Sequence, residues 1–239
     1  MNRLRIAHCS DTHLDSSGHR VGATDLARDG MEAVLAAIRG HQPDVLLFSG
    51  DLFDHNRARA ETVAWAQAQF AALPFPVMMI PGNHDCMEPN GIFHRHDFSA
   101  LPNVRNLAAP NGEVAHMEQL SLAVWGKGMV EHNLANRPLA GIPPRPTGCR
   151  WYVGMAHGMF VPAGETTDRS SAMPEHDIIN SPFDYLALGH HHAAKEIPTA
   201  QGVAAFAGSP TDRIGVGASY IIVDLAEGVA PILQILTLG

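Results

Sequence analysis

The sequence predicts an α/β fold of two β-sheets packed face to face with helices outside. Three observations predict it. Short apolar runs alternate with segments of helical periodicity from Leu4 to Ile80. From Trp151 onward, strand-like runs return with few helices between them. The chain has 239 residues, 46% of them apolar, enough to bury a sizeable core in one large domain.

Leu4 to Ala7 reads as a strand that delivers Cys9-Ser10-Asp11 to a loop. Between Asp25 and Gly40, the apolar residues Ala27, Met31, Val34, Leu35 and Ile38 fall at helical spacing, with Thr24 or Asp25 as cap and Gly40 as stop. Val45-Leu46-Leu47-Phe48 has the continuous apolar form of a fully buried parallel strand. A second helix is expected over 58–73, with Val63, Ala66, Phe70 and Leu73 on one face and Pro74 ending it. Val77 to Ile80 is the third strand. This β-α-β-α-β order implies parallel pairing through right-handed crossovers, which places ligands at the carboxyl ends of the strands.

Leu120 to Trp125 reads as a further strand. Arg137 to Gly148 holds Pro138, Pro143, Pro144 and Pro146 and is expected to be a loop. Strands are then expected at Trp151–Ala156, Tyr185–Leu188, Val203–Ala207, Ser219–Leu225 and Pro231–Leu238. With so few helices between them, a more antiparallel second sheet is the expectation.

Composition bounds the function. Sixteen basic residues against 24 acidic ones give a net charge of −8, which lacks the basic excess behind most non-specific nucleic-acid binding. Three cysteines, Cys9, Cys86 and Cys149, without a CxxC pair, suggest a reducing compartment and no disulfide framework. No stretch approaches the ~20 apolar residues of a membrane span. The first ten residues make a poor signal peptide, so cytoplasmic residence and no membrane partner are expected. Fifteen histidines nearly equal all lysines and arginines together.

Five polar segments follow strand ends: Asp11-Thr12-His13, Gly50-Asp51-Leu52-Phe53-Asp54, Gly82-Asn83-His84-Asp85, Ala156-His157-Gly158 and Gly189-His190-His191-His192. Each alone has a bland reading. A histidine after a strand is commonly a satisfied core residue, and Gly-Asn commonly marks a turn. Their order, each after an apolar run, argues for one site.

In this order D-x-H, G-D-x-x-D, G-N-H-D, a lone H and G-H-x-H resemble the calcineurin-like metallophosphoesterase superfamily, over residues 11–192. The resemblance implies a four-layer α-β-β-α sandwich of two mixed sheets, here one catalytic domain over 1–239, and a phosphoesterase with two divalent metal ions. One ion would be held by Asp11, His13 and His192, the other by Asn83, His157 and His190, with Asp51 bridging. His84 would face the substrate, Asp85 would orient it, and Asp54 would stand behind the ligands. Oxygen and imidazole donors suit Mn²⁺, the expected metal, or Fe or Zn²⁺. Two such cations against Asp11, Asp51 and a bridging hydroxide leave one positive charge to attract a phosphate. That hydroxide, formed near neutral pH, would attack phosphorus, with His84 protonating the leaving alkoxide.

The segments Asp11 to Ser16, Gly50 to Asp54 and Gly208-Ser209-Pro210 look most like the DNA-repair exonuclease branch of that superfamily, whose members often partner an SMC-like ATPase. Such nucleases usually continue into a DNA-capping domain, whereas this sequence ends in a strand-like run at Gly239. The expectation is therefore a phosphodiesterase acting on a small or nucleotide-like ester. A DNA exonuclease subunit with a partner-supplied cap is the alternative, and a phosphomonoesterase a further one. A metal-free scaffold should have lost Asp51 or His84, and both are present. Among other polar residues, His55 and Arg213 are candidates to reach substrate. His8, His191, His94 and His96 are expected to serve the core, the surroundings of the ligands or a solvated loop.

Overall fold

The computed structural model describes residues 3–16, 20–21, 24–211 and 214–238. The chain opens with strand β1 (Arg3–Cys9) and a short ribbon, β2 (Arg20–Val21) with β3 (Thr24–Asp25), that leads into helix α1 (Leu26–His41). Asp25 caps α1, its carboxylate accepting the Arg28 amide at 3.3 Å. Ala27, Met31, Val34, Leu35 and Ile38 are all buried on one face, as their spacing predicts. The helix does not stop at Gly40: it runs to His41 and ends where Gln42 turns left-handed at φ 50°.

Strand β4 (Val45–Ser49), helix α2 (Ala60–Ala71) and strand β5 (Val77–Ile80) follow. Next come the one-turn helix α3 (Ile92–Arg95) and strands β6 (Val104–Asn106), β7 (Glu113–Met117) and β8 (Leu122–Gly126). Beyond the proline-rich loop lie β9 (Trp151–His157), the ribbon β10 (Met159–Val161) with β11 (Ala172–Pro174), and helix α4 (Glu175–Ile179). The last strands are β12 (Tyr185–Gly189), β13 (Lys195–Pro198), β14 (Val203–Phe206), β15 (Ser219–Ala226) and β16 (Val229–Thr237).

Two six-stranded sheets result, ordered β16-β15-β1-β4-β5-β6 and β13-β14-β12-β9-β8-β7. In the first, β1, β4, β5 and β6 run parallel and β15 returns antiparallel beside β1. The second corrects the sequence expectation. Its central strands β8, β9, β12 and β14 are all parallel, and only the edges β7 and β13 pair antiparallel. The crossovers there are made by long loops and the five-residue α4 in place of full helices. The sequence therefore lacks the helical periodicity that marks a βαβ unit. The antiparallel character sits instead in β15 and β16, which join the first sheet.

Alternation along the strands sorts side chains into layers. Leu46 and Phe48 of β4 pack with Val34, Leu35, Phe70 and the other buried faces of α1 and α2. Val45 and Leu47 face the other sheet, meeting Val153, Met155, Tyr185 and Ala187. Trp125, Tyr152, Leu186 and Phe206 line the outer face of the second sheet, under Met173, Ile178 and Phe183. The order is α-β-β-α, with the last layer reduced to α4, the ribbon and loops. Among the described residues no helix is long and apolar enough to cross a membrane.

Candidate metal centre

The carboxyl ends of β1, β4, β5, β9 and β12 open on one rim, and the five polar segments leave from there. The backbone is strained at this rim. Asp11, His13, Asp51 and His190 have φ of 58°, 50°, 53° and 101°, each costing about 1–2 kcal/mol for a residue with a Cβ. The approach between loops is as tight as glycine allows: a Cβ on Gly189 would fall on the Ser49 carbonyl oxygen, and one on Gly82 would fall on Asp51.

Two donor clusters face each other. In the first, the Nε2 atoms of His13 and His192 stand 3.1 Å apart, each 4.0 Å from Asp11 Oδ1. In the second, Asn83 Oδ1 lies 3.0 Å from His157 Nε2 and 2.9 Å from His190 Nδ1. Asp51 Oδ2 lies between them, 3.3 Å from His157 Nε2 and 3.8 Å from His13 Nε2. Metal–ligand bonds of ~2.1 Å give donor–donor edges of ~3 Å at right angles and up to ~4 Å at wider ones, so both clusters can close on a small divalent cation.

Partners behind the donors fix their orientation. His157 Nδ1 donates to the Ser49 carbonyl at 2.8 Å, which leaves Nε2 as the free lone pair. His13 Nδ1 lies 3.2 Å from the Asp54 carboxylate, which turns its Nε2 inward in the same way. The Asp11 carboxylate accepts the Ser10 hydroxyl and the His190 amide, and the Ser209 hydroxyl donates to the Asp11 carbonyl at 2.7 Å. All seven residues expected to ligate thus meet in one place. Ser209 ties the Gly208-Ser209-Pro210 segment to them, while Arg213 lies outside the described residues.

His84 is 41% exposed at the mouth of the cleft, its ring edge-on to His13 at 4.7 Å. Asp85 does not orient it. That carboxylate is buried and accepts the amides of Gly82 at 2.8 Å and Phe53 at 3.1 Å, bracing two loops together. The ring is held instead by Asp54, whose carbonyl accepts from His84 Nδ1 at 2.7 Å. His8 is sealed between the sheets with Tyr185. The His191 ring lies against Phe206, and His94 lies on the Met87 carbonyl. Cys9 and Cys86 belong to none of the donor groups among the described residues, and burial pushes their thiols upward.

The electrostatics favour a cation. Burial pulls the His157 pKa down, but the Asp51 carboxylate outweighs it and raises it to about 9. Burial pushes Asp51 up, yet the imidazoles of His157, His13 and His84 hold it well below the carboxylate range. Burial and the charge on His157 push His190 down to about 3. A proton on His157 thus occupies ground that a metal ion would take. His157 must lose it to ligate, so metal affinity should rise with pH up to about 9. Calorimetric titration with Mn²⁺ at pH 7.5 in two buffers of different ionisation enthalpy should show net proton release on binding. Equal heats in both buffers would contradict this.

A cavity of about 790 Å³ continues outward from Asn83 and His84 between the loops Asp54–Arg57 and Glu131–Asn133. His55, a candidate to reach substrate, lines it, and so does His132, which the sequence does not single out. No apolar run or motif flags position 132; only its neighbours in space do.

A family model described as calcineurin-like phosphoesterase matches residues 4–194. The chain is 29% identical over 206 residues to the 3',5'-cyclic adenosine monophosphate phosphodiesterase CpdA of Escherichia coli K12, covering 80% of this chain and 70% of that one. It is 35% identical over 84 residues to the glycerophosphodiester phosphodiesterase GpdQ of Enterobacter lignolyticus, covering 34% of this chain but only 30% of that protein. The crystal structure of TT1561 of Thermus thermophilus superposes with a TM-score of 0.63 at 12% identity, over 99% of each chain.

Proposed function

The chain belongs to the calcineurin-like phosphoesterase family, and on that premise we propose that it hydrolyses phosphodiesters of small, nucleotide-like alcohols with two divalent cations, Mn²⁺ in the first place. The observation that carries this reading is the pair of donor clusters on either side of Asp51, 3.3 and 3.8 Å from its Oδ2. Asp11, His13 and His192 would hold one cation and Asn83, His157 and His190 the other, with Asp51 shared. When bound, the cations neutralise phosphoryl oxygens and lower the pKa of water toward ~7, where attack on phosphorus needs it.

The protein's own groups do the rest. The donation of His84 Nδ1 to the Asp54 carbonyl leaves Nε2 for the substrate, where it can give a proton to the leaving alkoxide. Asp54 also steadies His13, so a single residue positions a ligand and the proton donor. Asp85 holds the two loops that carry Asp51 and Asn83 in register. The similarity to two phosphodiesterases supports diester over monoester hydrolysis.

The test is a substrate panel with Mn²⁺-loaded protein: bis(4-nitrophenyl) phosphate, 4-nitrophenyl phosphate, cyclic nucleotides, and labelled single- and double-stranded DNA. Diester turnover exceeding monoester turnover is the expected result. Processive shortening of DNA, falling steeply with salt, would replace this reading with the exonuclease of a repair complex. No turnover with Mn²⁺, Fe²⁺, Zn²⁺ or Co²⁺ would leave a scaffold.

A further inference from the structure

The cavity beside the metal centre has a definite chemistry of its own. Asn83 and His84 belong to both, so an ester with its phosphoryl group on the cations can send one arm into this space. Its described lining has no Phe, Tyr or Trp ring. It carries three carboxylates, Asp54, Glu88 and Glu131, against one guanidinium, Arg57. A second phosphate placed there would meet this net negative charge.

The walls are built to keep their shape. Asn56 donates to the Cys86 carbonyl at 3.0 Å and to Glu88 Oε1 at 2.9 Å, and it accepts the Ile92 amide. Opposite, Asn133 donates to Glu131 Oε2 at 2.8 Å, and its Oδ1 accepts the amides of Ala135 and Asn136. Met129 fixes the root of that loop by accepting the Met87 amide at 2.7 Å. Between these braces stands His132. Its imidazole makes no hydrogen bond or ion pair with a described residue, yet it lies within electrostatic reach of Asp51, His157 and His84.

We propose, resting on the phosphodiesterase reading, that this cavity is the subsite for the alcohol arm of the ester, that it selects a neutral or cationic arm over one bearing a second phosphate, and that His132 is the arm's hydrogen-bonding contact opposite His84. The two glutamates set the charge preference and His132 the preference for a polar arm. One guanidinium, Arg57, does not offset three carboxylates.

The test uses the full chain loaded with Mn²⁺ and methyl phosphodiesters whose other arm is ethyl, 2-hydroxyethyl, 2-aminoethyl or 2-phosphonooxyethyl, with release of methyl phosphate followed so that the varied arm is the one that leaves past His84. The hydroxyl and amine arms should exceed the phosphate arm in kcat/KM by about tenfold or more. The E88Q/E131Q pair, which keeps both asparagine hydrogen bonds, should narrow that gap. His132→Ala should lower the hydroxyethyl-to-ethyl ratio of kcat/KM about tenfold, through KM. Equal or better turnover of the phosphate arm, or a hydroxyethyl-to-ethyl ratio untouched by His132→Ala, would overturn the subsite. Failure of every arm and of bis(4-nitrophenyl) phosphate would overturn the phosphodiesterase reading itself.

Discussion

Asp51→Asn should fold, bind fewer than two metal ions per chain and lose on the order of 10³-fold or more in kcat/KM, because it removes the carboxylate that two adjacent cations would share. Folding should survive for a specific reason. Asp51 is buried beside His157 and keeps that imidazole protonated in the metal-free chain. Without the carboxylate, burial lowers His157 against only the weaker pull of the Asp11 carboxylate and the Ser49 carbonyl, so the imidazole can shed its proton and leave no unpaired charge there. Metal analysis, a thermal melt and diester kinetics on one preparation separate the effects. Two ions per chain with activity within about tenfold of the parent would show that Asp51 is not shared between cations.

His84→Ala should do the opposite to metal content and something similar to rate. The side chain is 41% exposed and its Nδ1 partner is a backbone carbonyl outside both donor clusters, so two ions should remain and the melt should hardly move. Loss of a positioned proton donor typically removes ~10²–10⁴-fold, and the loss should depend on the leaving group. Nitrophenolate departs without help, so its release should suffer least, and a diester of two simple alcohols should suffer most. A drop to one ion per chain would place His84 among the ligands. An equal loss for good and poor leaving groups would show that it binds the phosphoryl group without donating a proton.

Much of this is legible in the sequence, for reasons particular to each element. Val45 to Phe48 and Val77 to Ile80 read as buried strands because parallel strands between two layers admit no polar alternation. The core face of α1 is legible residue by residue from its spacing. Its end is not, since the left-handed turn falls on Gln42 and not on a glycine. The parallel centre of the second sheet escapes because its crossovers are loops with prolines. The short edge strands β6, β7 and β13 escape because three to five residues carry too little pattern.

The site divides along the same line. Residues inside compact motifs, from Asp11 to His192, are singled out by order alone, and the fold brings them to one place. Partners chosen in space are not. The carbonyl of Asp54 holds His84, and a carboxylate one residue further along the chain, Asp85, serves the loops. The His157 tautomer depends on Ser49, 108 positions away. His132 reaches the cleft only because a loop braced on Met87 and Asn133 carries it there.

Anomalous diffraction from crystals of the Mn²⁺-loaded protein tests the shared centre most directly. Two peaks about 3.5–4 Å apart are expected, both within bonding distance of the Asp51 carboxylate. One should lie among Asp11, His13 and His192, the other among Asn83, His157 and His190. A single peak, or two peaks with Asp51 ligating neither or only one, would contradict the account.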